Sequence, residues 1–295
     1  MKIGIAGMGR MGSAIAARLA GLGHSIMVWN RTPDKARALE SAGARVAGSL
    51  ADLAAGCDIL ITMLTDAAAV ESVYAGFVSG EIKGKLFIEM STVRPETHRE
   101  AARRVRAKGA AYIECPVGGT VGPANEGKLF GFVGGEPADV ERAKPLLEQL
   151  CRRVEHVGPV GAGASLKLAI NLPLMVYWQA LGEALALCEP LALDPARLMD
   201  IFADTSGAPN ALKVRASALA AGLAGKGSGA TTFDVDSMRK DVRSMLEEAR
   251  SLGRSLPVTE RALQCFDEAA RAGLGAADST ALPARWAKLA EAKKL

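Results

Sequence analysis

Aromatic side chains are scarce in this 295-residue chain, at 4% of the total, so aliphatic residues have to fill its core. Histidine is scarcer still: His24, His98 and His156 stand alone, without metal-ligand spacing, which argues against a zinc enzyme. The five cysteines, at 57, 115, 151, 188 and 265, include no C-x-x-C pair. That argues against a disulfide framework and fits reduced thiols in a cytoplasm. An excess of one charge is also missing. The net charge of +4 is spread through interspersed acids and bases, so no basic patch points to nucleic acid. The N-terminal apolar run, Ile3 to Ala6, is too short for a signal peptide. A membrane span needs about 20 uncharged apolar residues, and the chain has no such run. What remains is an ordinary soluble composition, 49% hydrophobic and 23% charged, long enough for two domains.

The longest apolar stretch runs from Gly161 to Pro190 and reads as one long helix, opened by glycines and closed by proline. It is apolar on nearly every face, which predicts burial on all sides. Lys167, Gln179, Glu183 and Glu189 interrupt it, so protein rather than lipid should surround it. Lys167 and Asn171 lie four apart, on one face, and a buried amine and amide need partners, a bound ligand among the choices. Pro173 removes a backbone bond and should bend the helix there.

Earlier in the chain, Lys2 to Ala6 is a β-type run ending at Gly7-Met8-Gly9-Arg10-Met11-Gly12, with helix after it. Strand, G-x-G-x-x-G, helix is the context that gives this motif meaning. The first glycine permits the turn, the second lets a pyrophosphate approach, and the third lets helix and strand pack. Ser25 to Trp29 is the next strand. Its end should read the adenosine ribose, and it carries Asn30-Arg31-Thr32 in place of the acid usual for NAD. Arg31 can pair with a 2′-phosphate and Thr32 can donate a hydroxyl, which points to NADP, with NAD as the alternative. Strands at 58–63, 85–89, 111–114, 130–133 and 153–157 alternate with helices at 67–74 and 95–108, the pattern of a mostly parallel sheet. Ligands bind beyond the carboxyl ends of such strands, which picks out Met63-Leu64-Thr65 and Ser91-Thr92. The run from Glu114 to Pro123 is dense in glycine and reads either as an anion-binding nest or as a plain long turn. After Val157 no strand pattern appears. Helices are expected at 194–204, 211–223, 233–250, 257–272 and 283–294, with a loop at Gly225 to Gly229 and a frayed solvated tail from Ala287 to Leu295.

Taken in order, Gly7 to Gly12, Asn30-Arg31-Thr32, Ser91-Thr92, Cys115-Pro116-Val117, Gly134-Gly135, Gly163 to Asn171 and Lys240-Asp241 resemble the β-hydroxyacid dehydrogenase family. The resemblance covers the whole chain. It implies an α/β fold: an N-terminal Rossmann domain with a doubly wound parallel sheet (1–160), a long interdomain helix (161–192), and an all-α C-terminal domain for substrate and dimerisation (193–295). It also implies roles for single residues. In the family's G-x-x-x-K-x-x-x-N segment Lys167 is the acid/base, and Asn171 holds it or the substrate. Ser91 and Thr92 lie on the nicotinamide side, Lys240 closes over the cofactor, and Asp241 belongs with it at the substrate. This chain departs from the pattern at Gly118, where many members have serine, at Thr120, where they have glycine, and at Ile170. The 6-phosphogluconate dehydrogenases carry histidines at the positions of Ala164 and Ile170, and imine reductases usually lack the lysine.

The reaction expected is hydride transfer between NADP(H) and a small 3-hydroxyacid or its semialdehyde, with one proton managed by Lys167 once burial lowers its pKa. Gly118, Gly119 and Thr120 would hold a carboxylate or another polar end, and Phe233 and Trp178 would wall off water. The alternatives are imine reduction and a non-catalytic dinucleotide-binding assembly module. The expected partners are a small-molecule substrate and further copies of the chain, as a homodimer or homotetramer.

Overall fold

The computed structural model describes residues 1–226 and 231–292, and side chains up to 286. The expected loop at Gly225 to Gly229 therefore lies outside the described residues from 227 on. The expected tail at Ala287 to Leu295 has no described side chains, and its last three residues lie outside altogether. Two compact units divide the chain, Met1–Ala169 and Ile170–Leu295.

In the first unit strands and helices alternate as β1 (Lys2–Ala6), α1 (Arg10–Gly21), β2 (Ser25–Trp29), α2 (Pro33–Arg37), β3 (Arg45–Val46), α3 (Leu50–Gly56), β4 (Ile59–Thr62) and α4 (Ala67–Val78). They continue as β5 (Leu86–Glu89), α5 (Pro95–Arg106), β6 (Ala111–Glu114), β7 (Val117–Gly118), α6 (Val121–Glu126), β8 (Leu129–Gly135), α7 (Pro137–Leu150) and β9 (Cys151–Gly158). The strands form one sheet. Its parallel part has the order β3-β2-β1-β4-β5-β6, the two-halved arrangement of a dinucleotide-binding sheet. β8 then runs antiparallel to β6 and β7, and β9 pairs parallel with β8.

Helices on both faces explain why the central strands are apolar throughout. Ile59, Ile61, Ile88 and Ile113 pack on one side with Ile15 and Leu19 of α1 and Leu146 and Leu147 of α7. Leu60, Phe87 and Tyr112 pack on the other with Leu53 of α3, Tyr74 and Phe77 of α4 and Val105 of α5. Four aromatics meet there, with Tyr74 within 6.0 Å of Phe77, Phe87 and Tyr112, ring to ring. Three neighbouring strands break the apolar rule at their last residue: Thr62, Glu89 and Glu114 are all fully buried.

The long helix, α8 (Ala162–Leu187), continues past Pro173, and the division between the units falls inside it. The expectation of burial on all sides was wrong. Leu166, Ile170 and Leu187 are 36%, 46% and 83% exposed, a stripe at helical spacing that the described residues leave uncovered. The second unit continues with α9 (Pro195–Ala203), α10 (Asn210–Leu223), α11 (Val235–Ser251), α12 (Pro257–Ala269) and α13 (Ala281–Ala292). Its only β pairing among the described residues is a bridge between Asp234 and Asp278. Asp278 is a hub: Arg215, Thr232 and Thr280 all donate to its carboxylate, which holds its pKa below the usual range against the opposing effect of burial. Among the described residues no helix is long and apolar enough to cross a membrane. The five cysteines are free thiols.

Candidate active site

β1 delivers the chain into the turn at Gly7 with φ of 102°, in the left-handed region that favours glycine. A Cβ on Gly7 would lie 2.3 Å from the Met63 carbonyl oxygen, and one on Gly12 would lie 1.9 Å from the Gly7 carbonyl oxygen. Gly12 is thus what lets α1 seat on the strand end. A Cβ on Gly9 would meet nothing within 4 Å, so its hydrogen keeps open space clear at the head of α1. That helix has no acidic residue in its first turn, leaving its positive end for an anion. The site fits a dinucleotide pyrophosphate on this geometry: Gly9 and the head of α1 would hold the phosphates. Met8 is buried and Met11 packs on the core, so their backbones, not their side chains, face the turn.

A cleft of about 360 Å³ follows from the turn, lined by Gly7, Gly9, Arg31, Thr32, Met63, Leu64 and Thr65 among others. Arg31, Thr32 and Lys35 are exposed along it, and β2 ends without a carboxylate. Asn30 also makes contacts inside the protein. Its Oδ1 accepts from the Met8 amide at 2.9 Å and its Nδ2 donates to the Thr32 carbonyl at 2.9 Å. It braces the glycine turn against the Arg31 loop. Ser91 likewise ties loops together, its hydroxyl accepting from the Leu64 amide at 2.7 Å. Thr92 beside it is half-buried.

Behind Ser91 lies a buried polar chain that the sequence pattern did not single out. Glu89 accepts from the Ser91 amide at 2.7 Å and from the Thr62 hydroxyl at 2.6 Å, and Thr62 lies 3.0 Å from the Tyr74 hydroxyl. Burial pushes the Glu89 carboxyl up to about 7, against the opposing hydrogen bonds from Ser91 and Thr62. The Tyr112 hydroxyl lies 3.1 Å from His98 Nδ1, and burial drives that imidazole down to about 3, so it is neutral. The available signal was a carboxylate closing an otherwise apolar strand, at both Glu89 and Glu114.

The glycine-dense run after β6 is more than a plain turn. Val117 and Gly118 form β7 against Gly131 and Phe130, and Thr120 heads α6 without a side-chain capping bond. Gly119, with φ of 124°, and Thr120 are exposed between them. Cys115 is fully buried. Its contact with Cys151, and then burial, raise its thiol well above the ordinary range, which makes it a packing residue and not a nucleophile.

Lys167 is the sixth residue of α8 and is buried, 8% exposed, and Asn171 one turn on is 9% exposed. The head of this helix is held by Glu114, whose Oε1 accepts from the amides of Gly161 at 2.7 Å, Gly163 at 2.8 Å and Ala164 at 3.3 Å. The glycine turn, the Arg31 loop, the 63–65 and 91–92 loops, the Gly118–Thr120 run and Lys167 all belong to the first unit. Asn171, Phe233, Lys240 and Asp241 belong to the second. There the Phe233 carbonyl accepts from the Ser279 amide at 2.9 Å, and the Lys240 ammonium pairs with buried Asp241 at 2.5 Å. Trp178 is buried in this unit, edge-on to Tyr177 at 6.0 Å.

Comparison with known proteins agrees with this architecture. Residues 2–158 match the family described as the NAD binding domain of 6-phosphogluconate dehydrogenase. Residues 161–286 match the family described as the NAD-binding of NADP-dependent 3-hydroxyisobutyrate dehydrogenase. The chain is 34% identical to 3-hydroxyisobutyrate dehydrogenase of Pseudomonas aeruginosa, over 92% of each chain. It is 32% identical to glyoxylate/succinic semialdehyde reductase 1 of Arabidopsis thaliana, over 96% of this chain and 97% of that one. Among solved structures it is similar to the 3-hydroxyisobutyrate dehydrogenase of Mycobacterium tuberculosis determined with L-serine, with a TM-score of 0.83 and 27% identity over 96% and 97% of the two chains. With a dinucleotide-binding sheet, a cradle shaped for pyrophosphate and relatives matched along nearly its whole length, the chain belongs to the β-hydroxyacid dehydrogenase family of NAD(P)-dependent oxidoreductases.

Proposed function

We propose that this protein exchanges a hydride between NADP(H) and a small 3-hydroxyacid or its semialdehyde, with Lys167 as general acid/base. The observation that carries the reading is a buried amine near the head of α8, one turn from Asn171, in the same compact unit as the glycine cradle. The bound nicotinamide supplies the hydride chemistry. The chain's own work is to bind, orient and handle one proton. Gly7 to Gly12 would hold the pyrophosphate, Arg31 and Thr32 the 2′-phosphate, and Met63 to Thr65 with Ser91 and Thr92 the rest of the nucleotide. Lys167 Nζ would take the hydroxyl proton when the alcohol is oxidised and return it on reduction, with Asn171 orienting amine or substrate. Gly118, Gly119 and the Thr120 hydroxyl would hold a carboxylate. Phe233, Lys240 and Asp241 stay in the reading as ligand-binding residues of the second unit, Lys240 toward the cofactor. Apolar side chains such as Val214, 71% exposed, favour assembly of that unit as a homodimer or homotetramer, a part of the reading that a monomer in sedimentation equilibrium would end.

Lys167→Ala should lower turnover by about 10²- to 10⁴-fold and leave NADPH affinity, read by fluorescence titration, nearly unchanged. Survival of activity would sink the mechanism. The companion measurement is a panel of semialdehydes, hydroxyacids and cyclic imines with NADPH and NADH. Turnover of imines alone would favour imine reduction, and dinucleotide binding without turnover would favour an assembly module.

A further inference from the structure

Three glycines and one helix terminus converge on the side chain of Glu114, and neither the cofactor cradle nor Lys167 accounts for them. Gly161 precedes α8 and has no side chain to cap it, yet its amide and those of Gly163 and Ala164 all point to Glu114 Oε1, at 2.7, 2.8 and 3.3 Å. The carboxylate has room only because its neighbours are small. A Cβ on Gly134 would lie 2.3 Å from Oε1, and one on Gly163 would lie 3.2 Å from it and 2.3 Å from the Phe132 carbonyl oxygen. This accounts for two motif glycines, one in β8 and one in α8, that touch no expected ligand contact. The other oxygen, Oε2, faces His98 Nδ1 of α5 at 3.4 Å. Burial raises the Glu114 carboxyl to about 7, against the lowering effect of the three amides and, after them, of Arg99 on α5.

Glu114 also ends β6, five and six residues before Gly119 and Thr120. On the other side of the contact, Lys167 follows Ala164 by three residues, a rise of about 4.5 Å along the helix. We propose that Glu114 is a positioning residue that locks the strand leading to the Gly118–Thr120 run onto the first turn of the Lys167 helix. It thereby fixes the spacing between the groups that hold the substrate and the amine that moves its proton. The inference rests on the reading of Lys167 as the acid/base. Glu114 touches neither ligand. Its effect passes through the helix, and a displacement of about 1 Å there is enough to cost on the order of 10- to 100-fold in rate.

The experiment pairs amide hydrogen exchange at Gly163 and Ala164 with steady-state kinetics in Glu114→Ala, Glu114→Gln and Glu114→Asp. Exchange and kcat should move together across the series. The alanine variant should exchange fastest and lose about 10- to 100-fold in kcat, with NADPH affinity within about two-fold of the parent. Glutamine keeps an acceptor oxygen at the same reach and should recover most of both. In a Lys167→Ala background Glu114→Ala should cost no further turnover, since both changes strike one device. The proposal is overturned by accelerated exchange with unchanged kcat in any folded variant, or by unchanged exchange in all of them. Activity surviving Lys167→Ala alone would defeat the acid/base reading, whereas the exchange data would still show whether Glu114 holds the helix.

Discussion

Arg31 shows how much a single residue can decide. It stands exposed on the cofactor cleft just past a strand that ends without a carboxylate, and a guanidinium there matches the geometry of a phosphate monoester. Replacing it by alanine should raise the KM for NADPH by about 10- to 100-fold, the worth of a charge-assisted pair, while leaving the KM for NADH as it was. Equal losses with both cofactors would show that Arg31 does not read the 2′-phosphate. The neighbouring Asn30 carries the opposite lesson. From sequence it belongs with Arg31 as a ligand contact, but both ends of its amide are engaged with the backbone at Met8 and Thr32. Residue type and position predicted the loop and not these two backbone bonds, because an amide serves backbone and ligand equally well.

At the level of an element, the turn between β1 and α1 separates packing from binding. A Cβ at Gly12 would strike the Gly7 carbonyl oxygen, whereas at Gly9 it would enter empty space. Gly12→Ala should therefore destabilise the protein by about 1–3 kcal/mol and weaken the cofactor as a consequence. Gly9→Ala should leave the denaturation midpoint unchanged and weaken NADPH about 10-fold or more, since the methyl group occupies the approach of the pyrophosphate. Comparing midpoints with cofactor titrations for the two variants checks both, and a stability loss at Gly9 would contradict the division. This turn was legible because strand, glycine spacing and helix follow one another within some twenty residues. Helix α7 was just as local and went unread. Its buried positions Val140, Ala143, Leu146, Leu147 and Leu150 have helical spacing, but Pro145 and the surrounding charges mask them. On α8 the apolar pattern overstated burial, since composition on all faces does not say which face finds a neighbour.

Stability against pH belongs to the whole molecule. Glu89 is fully buried at the centre of the sheet and its carboxyl is raised from 4.5 to about 7. Between those values the folded chain holds a proton that the unfolded chain releases. This contribution to stability is therefore complete below pH 4.5 and is lost as pH rises through 7. Glu114 acts in the same direction, while His98, lowered to about 3, acts in the other, losing stability as pH falls from 6.5. Glu89→Gln isolates one of these. The unfolding free energy of the variant, minus that of the parent, should rise between pH 4.5 and 7 by about 3 kcal/mol, at ~1.4 kcal/mol per pH unit. A flat difference in denaturant titrations across that interval would mean that Glu89 titrates normally.

What the sequence determined by itself was written in neighbouring residues. The strand and helix periods, the glycine turn, the basic end of β2 and the Lys167–Asn171 spacing are all local, since backbone geometry repeats over a few residues. Tertiary structure alone decided the buried chain from Thr62 and Glu89 to His98, and the clasp of Glu114 on residues 161 to 164. Those partners are 47 to 50 residues apart, and no local pattern encodes the pairing. They meet because folding brings the end of β6 and the head of α8 together, where a buried carboxylate is tolerated only if backbone amides are there to receive it.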